Sequence, residues 1–151
     1  MVAISFSVDG FVEKIKSGAK DQTIRPFNQR RYEQIKRIKK LQLYWKQRTK
    51  ECFKIADAEV TEIFKIRLYS DNRKQDEWLG GKRIIGYILI EDKGKWRKAT
   101  NEEWWDIIKR DGISNAQDLY KAFYKTYGDA IYDMEFMVIR WNLLGGNYYG
   151  E

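Results

Sequence analysis

Lys20, Thr23 and Arg25 place an amine, a hydroxyl and a guanidinium within six residues. Pro26, the only proline in the chain, follows directly. Proline fixes its own φ and biases the preceding residue toward extended backbone, so the run leading to Arg25 reads as a strand. Side chains on a strand alternate between faces. Thr23 and Arg25 then share one face with Asp21, and Lys20 sits at the mouth of the strand beside Gly18. Lysine supplies a point charge or, with a lowered pKa, a base. Threonine supplies a nucleophile or a hydrogen bond, and arginine a planar fork for phosphate or carboxylate. From spacing alone, the same run also reads as an ordinary polar turn entering a strand.

Composition narrows the chemistry these groups can join. The chain of 151 residues contains no histidine. That excludes Ser-His-Asp triads, imidazole-dependent ribonuclease chemistry and histidine metal ligands. Any catalysis falls to Lys, Asp, Glu, Tyr, Thr, Ser or Cys. The one cysteine, Cys52, excludes an internal disulfide and a cysteine-based zinc site, and is expected as a small buried hydrophobe. The sequence shows no clustered Asp/Glu motif for a metal, and no cofactor is expected. The longest apolar run, residues 84–90, is strand-sized and far short of the roughly 18 residues of a membrane helix. No basic stretch followed by an apolar core opens the chain. A cytoplasmic protein away from the membrane is expected.

The net charge of +7 is concentrated. Residues 25–50 carry ten basic side chains against one acidic, Glu33. Segregation of this kind points to an anionic partner, with nucleic acid the usual one. A solvated basic face that only adds solubility is the plainer alternative. Phe27, Tyr32, Tyr44 and Trp45 interleave with the basic residues, and stacking combined with phosphate contact is how single-stranded nucleic acid is held. Tyr44 is the better stacking candidate, because it alternates onto a polar strand face with Gln42 and Lys46. The predicted nucleic-acid contacts are Lys20, Arg25, Arg30, Arg31, Tyr44, Lys46, Arg48 and Lys50.

The elements that must position these groups follow from periodicity. Residues 2–8 alternate as a first strand, and residues 10–17 form a short helix capped by Asp9 and ended by Gly18. Phe11 and Ile15 lie on its core side. Tyr32, Ile35 and Ile38, spaced by three, predict a helix or helical loop with one docked face. Leu41, Leu43 and Trp45 line the inner face of a strand, and Arg48, Thr49 and Lys50 form a basic turn. Two further strands are expected at residues 53–58 and 59–69, and a polar loop holding Trp78 at 70–82. A buried strand follows at 84–90, then a hairpin turn at 91–95. Thr100 and Glu103 have capping-box spacing and open a helix whose apolar face is Trp104, Trp105, Ile107 and Ile108. Asp111-Gly112 stops it. Ser114 and Gln117 repeat the box before a helix lined by Leu119, Tyr120, Phe123, Tyr124 and Tyr127. Residues 132–144 read as a central strand buried on both faces. The pattern predicts a single α+β domain over residues 1–151, a small mixed β-barrel of about six strands with flanking helices, and a flexible tail at 144–151.

The run Ser17-Gly18-Ala19-Lys20-Asp21-Gln22-Thr23-Ile24-Arg25 resembles the Gly-x-Lys-x-x-Thr-Ile-Arg signature of the ASCH domain, a branch of the PUA-like superfamily. The stretch from Leu43 to Cys52 looks like the second strand of archaeal-type ASCH proteins. Arg110-Asp111-Gly112-Ile113 with the following helix and strand looks like their C-terminal third. Lys39-Lys40 stands where the family has a Gly-Asp turn. The resemblance implies a PUA-like pseudobarrel with a cleft between barrel and helices. It also implies an RNA-binding role toward single-stranded RNA or a modified nucleoside.

Small ASCH proteins include a 4-acetylcytidine amidohydrolase. By that resemblance Lys20 would be the base, Thr23 the nucleophile or its orienter, and Asp111, standing where the family has a glutamate, would hold Lys20 or the leaving amine. Read by itself, Asp111 is a helix C-terminal turn residue. A ribonuclease of the same family ranks lower. A protein-interaction module using the basic face is the third reading.

Overall fold

A computed structural model describes residues 2–75 and 83–145. Among the described residues the fold is mixed α+β: a curled, half-barrel sheet of seven strands with four α-helices. The strands are β1 (Val2–Phe6), β2 (Gln22–Pro26), β3 (Lys40–Trp45), β4 (Phe53–Gln75), β5 (Arg83–Asp92), β6 (Lys95–Lys98) and β7 (Glu135–Leu143). The helices are α1 (Phe11–Ser17), α2 (Gln29–Ile38), α3 (Asn101–Arg110) and α4 (Ala116–Tyr127).

β4 organises the sheet. Its first part pairs antiparallel with β3, its middle with β7 and its last part with β5. β1 joins β3 in parallel, β2 joins β7, and β6 joins β5. β1 and β2 are therefore edge strands, and they face each other across the opening of the half-barrel. The two strands expected at 53–58 and 59–69 are one strand, and residues 70–75, expected as loop, continue it. Pairing runs unbroken across the expected break at 58/59; the register shift comes just after it, between Val60 and Glu62, and bends the strand without ending it. Trp78 and the rest of 76–82 lie outside the described residues, as does the tail from 146. Leu144, expected in that tail, donates its backbone N–H to the Asp57 carbonyl at 2.9 Å.

Two apolar clusters occupy the two faces. Inside the curl, Val2, Ile4, Phe6, Leu41, Leu43, Met137, Ile139 and Trp141 meet Ile15 of α1 and Ile35 of α2. On the outer face, Ile66, Leu68, Ile88, Ile90, Phe136 and Val138 meet Ile107 and Ile108 of α3 and Leu119 and Phe123 of α4. β7 is buried continuously from Phe136 to Trp141, as expected of a central strand. It begins three residues later than expected, after a 3-10 turn at Gly128–Tyr132.

Several local signals act as expected. Gly18 closes α1 at φ 85°, a conformation other residues adopt with strain. Thr100 and Glu103 form a reciprocal capping box at α3. Lys93 and Gly94, both at positive φ, make the hairpin between β5 and β6.

Four local expectations also need correction. Gly10, not Asp9, occupies the N-cap of α1, with no side-chain bond. Asn115, not Ser114, caps α4, because its side chain reaches the Asp118 N–H. Trp105 is 51% exposed, since the i, i+3, i+4 stripe of α3 is carried by Trp104, Ile107 and Ile108. Cys52 is exposed, because it stands in the turn before β4 and not on a core-facing strand position.

Candidate functional site

The N-terminal motif and the end of α3 meet in space. Gly18 turns the chain out of α1, and the Lys20 N–H donates to the Lys14 carbonyl at 2.9 Å. The Asp21 N–H donates to the Arg110 carbonyl at 3.1 Å, which fixes the C-terminus of α3 against the entry to β2. Lys20 Nζ then donates to the backbone carbonyl of Asp111 at 2.7 Å and lies 3.5 Å from its carboxylate. Lys20 is 1% exposed and Asp111 7%. The ammonium also sits 4.3 Å from the Phe11 ring centre and 5.7 Å from that of Phe6. Phe11, expected only as a core residue, thus also holds a cation. Burial pushes the Lys20 amine down to about 8, against the opposing pull of Asp111.

Thr23 and Arg25 share a face, as expected, and it is the inner face of the curl. Arg25 Nε donates to Thr23 Oγ1 at 3.0 Å, and the guanidinium stacks 5.1 Å from the Phe6 ring centre. Burial lowers the Arg25 pKa, and Asp111 works in the other direction. The Phe6 ring therefore carries Lys20 and Arg25 together. Asp21 does not join them, because β2 begins one residue after it. Its carboxylate instead takes a bidentate fork from Arg110 at 2.9 and 3.0 Å.

Two further residues of the site, Gln22 and Arg140, do not emerge from the sequence reading. Gln22 is fully buried. Its amide donates to the Ile107 carbonyl at 2.9 Å and to Asp111 Oδ1 at 3.3 Å, while its oxygen accepts from Arg140 at 2.9 Å. Arg140 continues to Glu62 at 2.9 Å and Asp106 at 3.2 Å. A signal for it exists: Arg140 is the one charge inside the apolar run of β7, and a charge there needs a partner.

Beside this corner, between the edges of β1 and β2, lies a cleft of about 690 Å³. Arg25, Arg30, Arg31 and Arg48 line it, with Asn28, Gln34 and Gln47, and no carboxylate is on its lining among the described residues. Arg25 donates to the Ser5 carbonyl at 2.7 Å, and Arg31 donates to the Ala3 carbonyl. Two guanidinium groups thus occupy the outer edge of β1, where a further strand would otherwise pair. Asn28 caps α2 and so directs Arg30, Arg31 and Gln34 of its first turns toward the cleft.

Of the other predicted contacts, Lys46 and Lys50 lie beside this opening. A second groove of about 610 Å³ shares Ser5 and Gln47 with the cleft and adds Lys46 and Lys50. Lys46 pairs with Glu51 at 2.8 Å and lies over the Trp45 ring. Tyr44 shares its face with Gln42, where its hydroxyl lies 3.5 Å from Gln42 Oε1. Lys20, Thr23 and Asp111 are not on the lining of the arginine cleft; Arg25 belongs to both places.

Set against family models, curated proteins and solved structures, the chain gives no match. The class of protein is defined by its fold alone, a mixed α+β chain with a curled half-barrel sheet. Among the described residues, no helix is long and apolar enough to cross a membrane.

Proposed function

We propose that the chain is an RNA-binding module of the ASCH type, PUA-like in fold, which holds single-stranded RNA or a modified nucleoside at the seam between β1 and β2. The observation that carries this reading is the cleft of about 690 Å³ with four arginines and no carboxylate on its described lining. Arginine forks suit phosphate oxygens, and a cleft of one sign concentrates an anionic strand. Arg25, the arginine of the cleft nearest the buried corner, lies over the Phe6 ring, which fixes its guanidinium at one end of the seam; the buried Lys20 shares that ring without reaching the lining. The test is binding of labelled single-stranded RNA to wild type and to Arg30→Ala and Arg48→Ala variants across a salt series. Weakened binding with a shallower salt dependence in the variants supports the cleft.

A hydrolase acting on a modified nucleoside such as 4-acetylcytidine is the second reading. The contact between Lys20 and Asp111 favours it, with an amine whose pKa of about 8 leaves about a tenth neutral at pH 7. The 1% exposure of Lys20 weighs against it, since a substrate must displace the Asp111 contact to reach the amine. Release of cytidine by wild type, abolished in Lys20→Ala, would establish it.

A further inference from the structure

The inner face of the sheet does not end at the barrel core. Beyond the register shift at Val60/Glu62, the odd residues of β4 face inward, and Lys65, Arg67 and Tyr69 follow Ile63 along that face. The register sets Arg67 beside Leu89 of β5, which pairs in turn with Lys98 of β6, and Tyr69 beside Tyr87. α3 and α4 pack on the opposite face of these strands.

Aromatic rings and cations alternate on this face. Tyr69 and Tyr87 stack at 4.6 Å with an interplanar angle of 21°. Lys98 lies 4.8 Å from the Tyr87 ring centre, and the Arg67 guanidinium 5.8 Å from that of Trp96. At the inner end, Lys65 lies 4.8 Å from the Phe27 ring centre and pairs with Glu91 at 2.8 Å. Tyr69 is 49% exposed.

We infer that this face is a stacking platform for the bases of single-stranded RNA, separate from the arginine cleft. The proposal rests on the RNA-binding reading and adds a second surface to it. The half-exposed Tyr69 ring, backed by Tyr87, offers a π-face to a base, and Arg67 and Lys98 beside the rings are the cations placed to meet phosphate. From Lys65 to Tyr69 the strand rises about 13 Å, room for two to three stacked bases. Charge favours RNA over an acidic protein surface only together with the rings: Lys65 is neutralised by Glu91, so Arg67 and Lys98 carry the positive charge, and both lie over aromatic faces. A cross-strand tyrosine pair also stabilises a sheet without any ligand. The experiment must therefore read binding and stability separately.

Wild type over residues 1–151, Tyr69→Ala, Trp96→Ala, Tyr69→Phe and Arg30→Ala are titrated against a fluorescein-labelled oligouridylate of about twelve nucleotides at low salt, read by anisotropy. Thermal melts of each variant run beside the titrations. The platform predicts that Tyr69→Ala and Trp96→Ala each weaken binding by roughly five- to one-hundred-fold, whereas Tyr69→Phe, which keeps the ring, binds as wild type. Ring variants at wild-type affinity, alongside a weakened Arg30→Ala, overturn the platform and leave the cleft standing. No binding by wild type overturns both. A Tyr69→Ala variant with altered sedimentation and unchanged RNA affinity gives the face to a second copy and also overturns the proposal. If an alanine variant does not fold, ultraviolet crosslinking of wild type decides. Crosslinks on Tyr69, Tyr87 or Trp96 support the platform, and crosslinks confined to residues 25–50 overturn it.

Discussion

Lys20 Nζ donates to the backbone carbonyl of Asp111 at 2.7 Å and lies 3.5 Å from its carboxylate, across 91 residues of sequence. This contact fastens the N-terminal motif to the end of α3. Both residues are buried, and the low-exposure amine has only Asp111 as a charge partner within 4 Å among the described residues.

Removing one side of a buried pair is costly because the other charge is left behind. Asp111→Asn is expected to destabilise the fold by about 3–5 kcal/mol. Lys20→Met costs less, about 1–3 kcal/mol, because Asp111 keeps the Gln22 amide. Denaturant titrations of both singles and the double form a cycle, and a coupling of about 0.5–3 kcal/mol is expected between them.

The same burial predicts a pH signature. The folded pKa of Lys20 is about 8 and the unfolded value 10.5. Between these values the unfolded chain binds more protons, so stability contributed by this site rises with pH. Relative to Lys20→Met, wild type gains up to about 3 kcal/mol between pH 8 and 10.5. Comparing the two proteins by denaturant unfolding across that window removes the contribution of the other lysines. A constant difference would refute the depressed amine.

Gly112 closes the corner at φ 79°, and an added Cβ would lie 3.2 Å from Lys20 Cβ and 3.3 Å from Lys14 Cδ. Gly112→Ala meets both the positive φ and the crowding, so a loss of about 1–3 kcal/mol is expected. Thermal unfolding reads it directly. Gly94→Ala, with a similar φ of 81° and open space, separates the backbone cost from the steric one.

Thr100 anchors the helix that delivers Asp111. Its hydroxyl accepts from the Glu103 N–H at 3.1 Å, and the Glu103 carboxylate accepts from the Thr100 N–H at 2.9 Å. Arg97 also holds the Glu103 carboxylate, and together they depress its pKa to about 2. Thr100→Ala is expected to cost about 1 kcal/mol in chemical denaturation. Stability tied to Glu103 is present above its unfolded pKa and is lost as pH falls toward 2.

Local rules make much of this fold legible. Gly18, the Thr100 box and the alternation of Leu41 and Leu43 each act through neighbours in sequence, and each appears where those rules put it. The failures come from tertiary context. No local signal distinguishes a bent strand from two strands, so periodicity divides β4 near the Val60/Glu62 shift. Residue type alone buries Cys52, whereas its exposure follows from its place in a turn. At the site, the shared face of Thr23 and Arg25 follows from strand alternation. The meeting of Lys20 with Asp111 carries no local signal, because nothing in either segment points to the other. The seam between β1 and β2 requires knowing that both are edge strands, a property of the whole sheet.

The central claim is that the β1–β2 seam binds RNA through its arginines. The most direct measurement is anisotropy of a labelled single-stranded RNA titrated with wild type and with Arg30→Ala over a range of salt. The account predicts salt-sensitive binding by wild type, and a log-log salt slope shallower by about 0.7 in the variant, the change expected when a single phosphate loses its cation. Wild type that fails to bind RNA at low salt, or an Arg30→Ala variant with wild-type affinity and slope, would contradict it.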